Sequence, residues 1–193
     1  ATFDGCSNIQ NLTLPKSLKM VQWYAFNDCD IDHLHYTGDI ASWCDIRFIG
    51  SEANPIGASG NLYINGKSLT NLVIPSSVDS IQAYAFAGLT TLDSITIPKS
   101  VKKIGKYAFD KCTGLDQTRY TGDIASWCAI DFANASANPV AYSSNLVVGD
   151  VLVQDLVIPS GVTRIGNYAF AGCDLLSVTL PTSLQYIGDY AFQ

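Results

Sequence analysis

The sequence feature that most constrains the fold is a long internal duplication. The nine residues YTGDIASWC occupy Tyr36–Cys44 and recur unchanged at Tyr120–Cys128, 84 positions later. The same offset relates Asn54-Pro55 to Asn138-Pro139. Because equal sequences at a fixed offset specify equal structural units, the chain is predicted to have a repeat architecture.

A shorter period lies within the long one. Triplets of the sequence YAF end at Phe86 and Phe109, 23 residues apart, and at Phe170 and Phe192, 22 residues apart. A Leu-x-x-Leu-x-Leu kernel with a period of 20–29 residues is typical of a leucine-rich solenoid. Seven kernels fit this pattern: Ile9–Leu14, Ile31–Tyr36, Leu69–Ile74, Leu92–Ile97, Leu115–Tyr120, Val153–Ile158 and Leu175–Leu180.

The kernel spacings define the predicted fold. They are 22, 38, 23, 23, 38 and 22 residues, so the 84-residue unit contains two short repeats and one long repeat. Residues one, four and six of each kernel are almost all apolar and should point inward from a strand. We therefore predict one leucine-rich repeat solenoid domain over residues 1–193, mostly β, with a parallel concave sheet of about seven rungs.

The long repeats carry additional elements. The segment GDIASWC predicts a short helix capped by Asp39 in the first copy and by Asp123 in the second. Further along, Asn65-Gly66 and Gly149-Asp150 predict two hairpins. We expect both kinds of addition to lie on the outer side of the solenoid.

The short repeat resembles a known family. The segment LTTLDSITIPKSVKKIGKYAFDKC, and above all its motif IPxSVxxIGxYAFxxC, is similar to BspA-like leucine-rich repeats, and the resemblance covers nearly the whole chain. It implies a bacterial cell-surface or secreted, non-enzymatic protein that adheres to host or microbial surface proteins or glycans. No binding residue is transferred from the family. Since the chain begins and ends within a repeat, we expect it to be a fragment of a longer protein.

The candidate binding surface is the outward face of the concave sheet, built from the third and fifth kernel positions. Most of its side chains are polar and uncharged, which suits a protein or glycan ligand. We predict a binding or adhesion module; the alternatives are a spacer that presents another domain and, less favoured, an enzyme. The candidate residues are Asn11, His33, His35, Asn71, Ser94, Thr96, Gln117, Arg119 and Asp155.

Composition argues against several other functions. The net charge is −6, and the 11 basic residues are scattered along the chain, which disfavours nucleic acid as a partner. No apolar run approaches the ~18 residues of a membrane span. The sequence also lacks a hydrolase elbow and a phosphate-binding glycine loop, so we predict neither a cofactor nor catalysis.

One histidine pattern and one aspartate pattern suggest metal sites, but neither contains all the residues that such a site needs. His33 and His35 share one face of a strand, whereas a zinc site normally needs three or four protein ligands. Asp28, Asp30 and Asp32 alternate, but the glycine and the final glutamate of a calcium loop are missing. No metal site is predicted.

The cysteines and tyrosines follow the repeat. Four cysteines occupy the repeat position that holds Leu89 elsewhere, which favours free, buried thiols. The even count of six keeps open a disulfide between stacked equivalents such as Cys6 and Cys29. The tyrosines of the YAF triplets are predicted to stack along one edge: Tyr24, Tyr84, Tyr107, Tyr168 and Tyr190.

Overall fold

The kernels form the strands of a main parallel sheet, as predicted. The computed structural model describes residues 2–193, and equivalent residues pair across successive rungs, as in Asn11 with His33 and Ser94 with Gln117. The kernel strands are β1 (Ile9–Leu14), β3 (Ile31–Tyr36), β7 (Asn71–Val73), β9 (Ser94–Ile97), β11 (Gln117–Tyr120), β15 (Asp155–Val157) and β17 (Ser177–Thr179). The leucine-rich repeat solenoid is therefore confirmed.

The core lies between this sheet and the opposite side of the solenoid. Kernel residues such as Leu34, Leu92 and Ile97 are fully buried, each covered by the rungs before and after it. In the last rung Val178 and Leu180 are 42% and 44% exposed, because only one neighbouring rung covers them. A large aliphatic side chain contributes roughly 1.5–3 kcal/mol when fully buried, so rung stacking supplies most of the stability.

A second parallel ladder on the other side of the core was not predicted. Its strands are β2 (Met20–Val21), β4 (Arg47–Phe48), β8 (Ser80–Ile81), β10 (Lys103–Ile104), β12 (Asp131–Phe132), β16 (Arg164–Ile165) and β18 (Tyr186–Ile187). β2 pairs with β4, β10 pairs with both β8 and β12, and β16 pairs with β18. Each strand is only two residues long, too short for an alternating pattern to be recognised.

The hairpins of the long repeats form as predicted, but their expected position on the outer side is wrong. The first strand of each pairs in parallel with the preceding kernel strand, so that His35 faces Tyr63 and Arg119 faces Val147. Leu62 and Leu146 are buried where a kernel would place its fourth residue. The hairpin strands are β5 (Tyr63–Ile64), β6 (Lys67–Ser68), β13 (Leu146–Val148) and β14 (Val151–Leu152).

The hairpins divide the main sheet. The second strand of each runs antiparallel, and the next kernel strand begins a new sheet. The resulting sheets have the orders β1-β3-β5-β6, β7-β9-β11-β13-β14 and β15-β17. The outward face is thus interrupted once in each long repeat.

The duplicated nine residues build a capped helix on a packed aromatic pair. Asp39 accepts from Ser42 N at 2.8 Å, and Ser42 Oγ accepts from Asp39 N at 3.0 Å, which confirms the predicted cap. The Tyr36 ring meets Trp43 edge-on with centroids 5.0 Å apart. A side chain at Gly38 would collide with that ring, so only glycine fits there. Within residues 2–193 the helices are α1 (Ile40–Cys44), α2 (Ile56–Ser59), α3 (Ile124–Trp127) and α4 (Val140–Ser143), and 3-10 turns cover Ser51–Ala53 and Ala135–Ala137.

Buried polar side chains bind each long repeat to the YAF turn of the next repeat. Trp43 Nε1 donates to Ala85 O at 2.8 Å, and Asn54 Nδ2 donates to Tyr84 O at 2.6 Å. Asn54 Oδ1 also accepts from Ile56 N at 3.0 Å. The second copy repeats all three bonds. Tyr84 has a φ of +60°, a left-handed conformation that a non-glycine residue keeps only when its surroundings hold it.

We predict that Asn138→Ala lowers the free energy of unfolding by about 1–3 kcal/mol. The change leaves Val140 N without its partner and removes one of the two donors to Tyr168 O, which still accepts from Ala171 N. A buried polar group left without a partner costs about 1–3 kcal/mol. Chemical denaturation measures the loss, with the exposed Asn8→Ala as the matched control. A variant within about 0.5 kcal/mol of the wild type would contradict the role of Asn138.

The cap also predicts acid sensitivity. Hydrogen bonds from the backbone and side chain of Ser42, followed by Lys16, lower the pKa of Asp39 to about 2. A lowered carboxyl pKa stabilises the fold above the unfolded value of about 3.9, and this contribution disappears as the pH falls through about 2. Asp39→Asn keeps a capping side chain that does not titrate. The melting temperature of Asp39→Asn should therefore fall less than that of the wild type between about pH 5 and about pH 2. Equal falls in the two melting temperatures would exclude a contribution from the titration of Asp39.

Candidate binding surface on the main sheet

The nine candidate residues all lie on the outward side of the main sheet, but the three sheets divide them. The first patch comprises Asn11, His33 and His35 on β1 and β3, together with Tyr63 on β5. The second patch comprises Asn71, Ser94, Thr96, Gln117 and Arg119 on β7, β9 and β11. The third patch contains Asp155 on β15, whose carboxylate accepts a hydrogen bond from Ser177 Oγ.

The first patch is an aromatic cluster. The ring centroids of His33 and His35 are 6.4 Å apart, and the ring of Tyr63 lies 5.7 Å from the first and 5.0 Å from the second. His33 is exposed, and the other two rings are half-buried. Such rings can stack on a sugar or pack against apolar side chains while their polar edges form hydrogen bonds.

Sequence reasoning missed Tyr63 because the hairpin was expected outside the main sheet. The available signal was the alternation of Leu62 and Ile64, which matches the fourth and sixth positions of a kernel. Tyr63 then takes the outward fifth position and pairs with His35.

The second patch is polar and internally hydrogen-bonded. Ser94 Oγ donates to Asn71 Oδ1 at 2.7 Å. Arg119 Nη1 donates to Gly149 O at 2.7 Å and to Asp150 Oδ1 at 2.9 Å, so the turn of the second hairpin holds the guanidinium. This patch can offer hydroxyl, amide and guanidinium groups to a ligand, but it has no exposed aromatic ring among its named residues.

No described part of the chain collects metal ligands. Across residues 2–193, no three side chains of His, Cys, Asp or Glu come together in a group that could hold a metal ion. The same residues contain no helix of the length and apolar character needed to cross a membrane.

All six cysteines are free thiols, three of them buried and three half-buried. Burial raises the pKa of Cys44, Cys112 and Cys128 to about 12, so these thiols stay protonated and unreactive. Cys29 Sγ donates to Phe3 O, and Cys112 Sγ donates to Phe86 O. The open alternative of a disulfide between stacked equivalents is not realised in the structure.

The tyrosine stack forms only within pairs of short repeats. The ring centroids are 5.3 Å apart for Tyr84 and Tyr107, and 5.5 Å apart for Tyr168 and Tyr190. Tyr24 instead lies beside Trp23. The prediction of one continuous stack is wrong because each long repeat inserts its helices between successive pairs.

These features define a leucine-rich repeat protein with an exposed, partly aromatic sheet face. The sequence model described as "BspA type Leucine rich repeat region" matches residues 1–54, 59–150 and 148–193, in six copies. The chain belongs to the BspA-type leucine-rich repeat family.

Several solved structures are similar to the chain at low sequence identity. Leucine-rich repeat proteins from Eubacterium ventriosum and Bacteroides ovatus are each 20% identical to the chain, with a TM-score of 0.43; the alignments cover 99% and 100% of the chain and 66% of each structure. A leucine-rich cell surface protein from Faecalibacterium prausnitzii is 24% identical over 65% of the chain and 36% of that structure, with a TM-score of 0.38. The chain thus spans between about one third and two thirds of these structures. No curated protein matches significantly.

The thiol assignment predicts a labelling pattern. At about pH 8, iodoacetamide should leave Cys44, Cys112 and Cys128 of the folded protein unmodified, because their raised pKa values and burial suppress the thiolate. After unfolding without a reductant, mass spectrometry should find six alkylated cysteines. Fewer than six would reveal a disulfide and contradict the assignment.

Proposed function

We propose that this chain is a non-enzymatic binding or adhesion module at the cell surface or outside the cell, and that it contacts protein or glycan ligands through its main-sheet face. The observation that carries the proposal is the contrast between the two long repeats. The framework sequence YTGDIASWC is identical in both copies, whereas the outward residues differ: His33, His35 and Tyr63 in the first correspond to Gln117, Arg119 and Val147 in the second.

The contrast distinguishes the residues that support the fold from the outward residues that are proposed to recognise a ligand. The shared residues form the helix cap, the aromatic packing and the bond to the next repeat, all of which any stable copy needs. The outward positions have no comparable structural task, so their differences create distinct surfaces on one scaffold. Solenoids commonly bind partners through such an extended sheet face.

The chemistry of the first patch makes it the favoured contact. Three neighbouring rings provide a rigid surface with polar edges, and tyrosine is among the residues enriched in binding hot spots. Asn11 and Thr13 on β1 lie beside them and add small polar groups. Host or microbial surface proteins and glycans are the proposed partners, and the BspA-like resemblance supports a location at the cell surface.

The test is an array of glycans and extracellular matrix proteins probed with the 193-residue chain. Replacing His33, His35 and Tyr63 together by alanine should weaken capture at least about tenfold, equivalent to about 1.4 kcal/mol, because the aromatic contact is lost. The double variant Lys19→Ala and Lys106→Ala is the matched control, since it removes two exposed side chains away from this patch.

Capture of a specific ligand that the triple variant abolishes and the control variant retains would support the proposal. A ligand bound equally by all three proteins would contradict the role of the first patch. If the wild type captured nothing on the array, the spacer alternative would be favoured instead.

A further inference from the structure

The two long repeats also differ at the edge beside their short helices. The backbones correspond closely: Phe26 N donates to Glu52 O at 3.1 Å in the first copy, and Phe109 N donates to Ser136 O at 3.0 Å in the second. Helices α2 and α4 both end at a left-handed residue, Gly60 and Ser144. Each copy therefore shows which side chains the corresponding edge of the other copy can hold.

In the second copy a tyrosine side chain occupies this edge. Tyr142 on α4 is half-buried, and its hydroxyl donates to Asp110 Oδ1 at 2.9 Å and lies 3.0 Å from Ser136 Oγ. Burial is the main cause of the raised pKa of Tyr142. At this edge the fold thus holds a half-buried phenol side chain by its hydroxyl.

In the first copy the ring is missing and a cleft takes its place. Ala58 stands at the position of Tyr142, with Asn27 where the second copy has Asp110 and Glu52 where it has Ser136. All three line a cleft of about 450 Å³, within the range of small-ligand sites. Three glycines also line it: Gly57, Gly60 and Gly88.

Two polar side chains of the cleft, Glu52 and Asn27, offer acceptors that match a hydroxyl donor. A hydrogen bond from Ser51 holds the pKa of Glu52 below its usual range, so its carboxylate is ionised and only accepts. Asn27 Nδ2 already donates to Asp4 and to Asp28, which leaves the amide oxygen of Asn27 as an acceptor. The remaining charged groups of the lining are Asp28, Asp110 and Lys111.

We propose that this cleft binds a tyrosine side chain presented by a protein partner. The ring lies over the small residues of the lining, Gly57, Ala58 and Gly88, and the phenol hydroxyl donates to Glu52 or Asn27. The tyrosine of the partner would make, between two molecules, the same kind of contact that Tyr142 makes within this chain. The site is on the edge of the solenoid, apart from the first patch, so that either proposal can fail without the other.

The test is a titration of the 193-residue protein with N-acetyltyrosinamide, followed by ¹⁵N-¹H NMR. The amides of Gly57, Gly60 and Gly88 should shift, with a Kd on the order of 1 mM expected for a single ring of this size. N-acetylphenylalaninamide should bind about three- to tenfold more weakly, because it leaves the acceptors without a donor. Equal binding of the two amides would overturn the role of the hydroxyl.

Two variants test the position of the site. Ala58→Tyr should fill the cleft from within, raise the melting temperature and abolish the shifts, whereas the exposed Ala129→Tyr should change neither. Tyr142→Ala should open an equivalent cleft, and N-acetyltyrosinamide should then also shift the amide signals of Ser144 and Gly172. Shifts of Gly57, Gly60 and Gly88 that persist in Ala58→Tyr would overturn the proposal. It would also be overturned if the tyrosine amide bound at the new cleft of Tyr142→Ala but caused no shift at these glycines in the wild type. Shifts in none of the proteins would overturn it as well.

Discussion

The structure depends on the parallel pairing of equivalent residues in successive rungs. A single rung places three apolar kernel residues on one side of a strand and cannot cover them by itself. When Leu72 pairs with Ile95, and Ile95 in turn with Thr118, the ladder bonds also bring the inward side chains into one continuous core. Backbone hydrogen bonding and burial of apolar surface are therefore satisfied by the same contact, and each rung is stable only beside another.

The long repeats disturb this pairing and replace it with side-chain contacts. A hairpin ends the main sheet in each copy, so fewer backbone bonds cross that boundary. Trp43 and Asn54 cross it instead by donating to carbonyl groups of the next YAF turn, and Trp127 and Asn138 do the same in the second copy. The residues that look most like a functional motif in the sequence, because they recur unchanged, thus hold the solenoid together.

Surface chemistry is confined to the positions that this framework leaves unconstrained. His33, His35 and Tyr63 form a ring cluster in one copy, while Arg119 in the other copy is held by a hairpin turn. At the edge, Tyr142 fills a space that Ala58 leaves open. A duplicated scaffold with altered outward residues can present different surfaces without new elements.

The sequence predicts those parts of the fold that have a local signal. The kernels, Asp39 and Asp123 as caps, and the two hairpin turns all follow from periodicity or from the conformational preferences of single residues. The second ladder and the position of the hairpins depend on contacts between distant residues, and the two-residue strands give no period to detect. Tyr63 was missed because its hairpin was expected outside the main sheet, although Leu62 and Ile64 carry a local signal, whereas the cleft at Ala58 arises only when rungs are stacked.

Native-state hydrogen exchange tests the central claim of rung stacking most directly. The amides of Ile74 and Phe86 donate to Thr96 O and Ala108 O of the next short repeat, and the amide of Thr118 donates to Asn145 O beside the second hairpin. Stacked rungs predict that these amides exchange at least about 10³-fold more slowly than in an unfolded chain, and with similar protection, because they open together. Rapid exchange at Ile74 or Thr118 while Phe86 remained protected would show that the rungs do not form one cooperative stack, and would contradict this account.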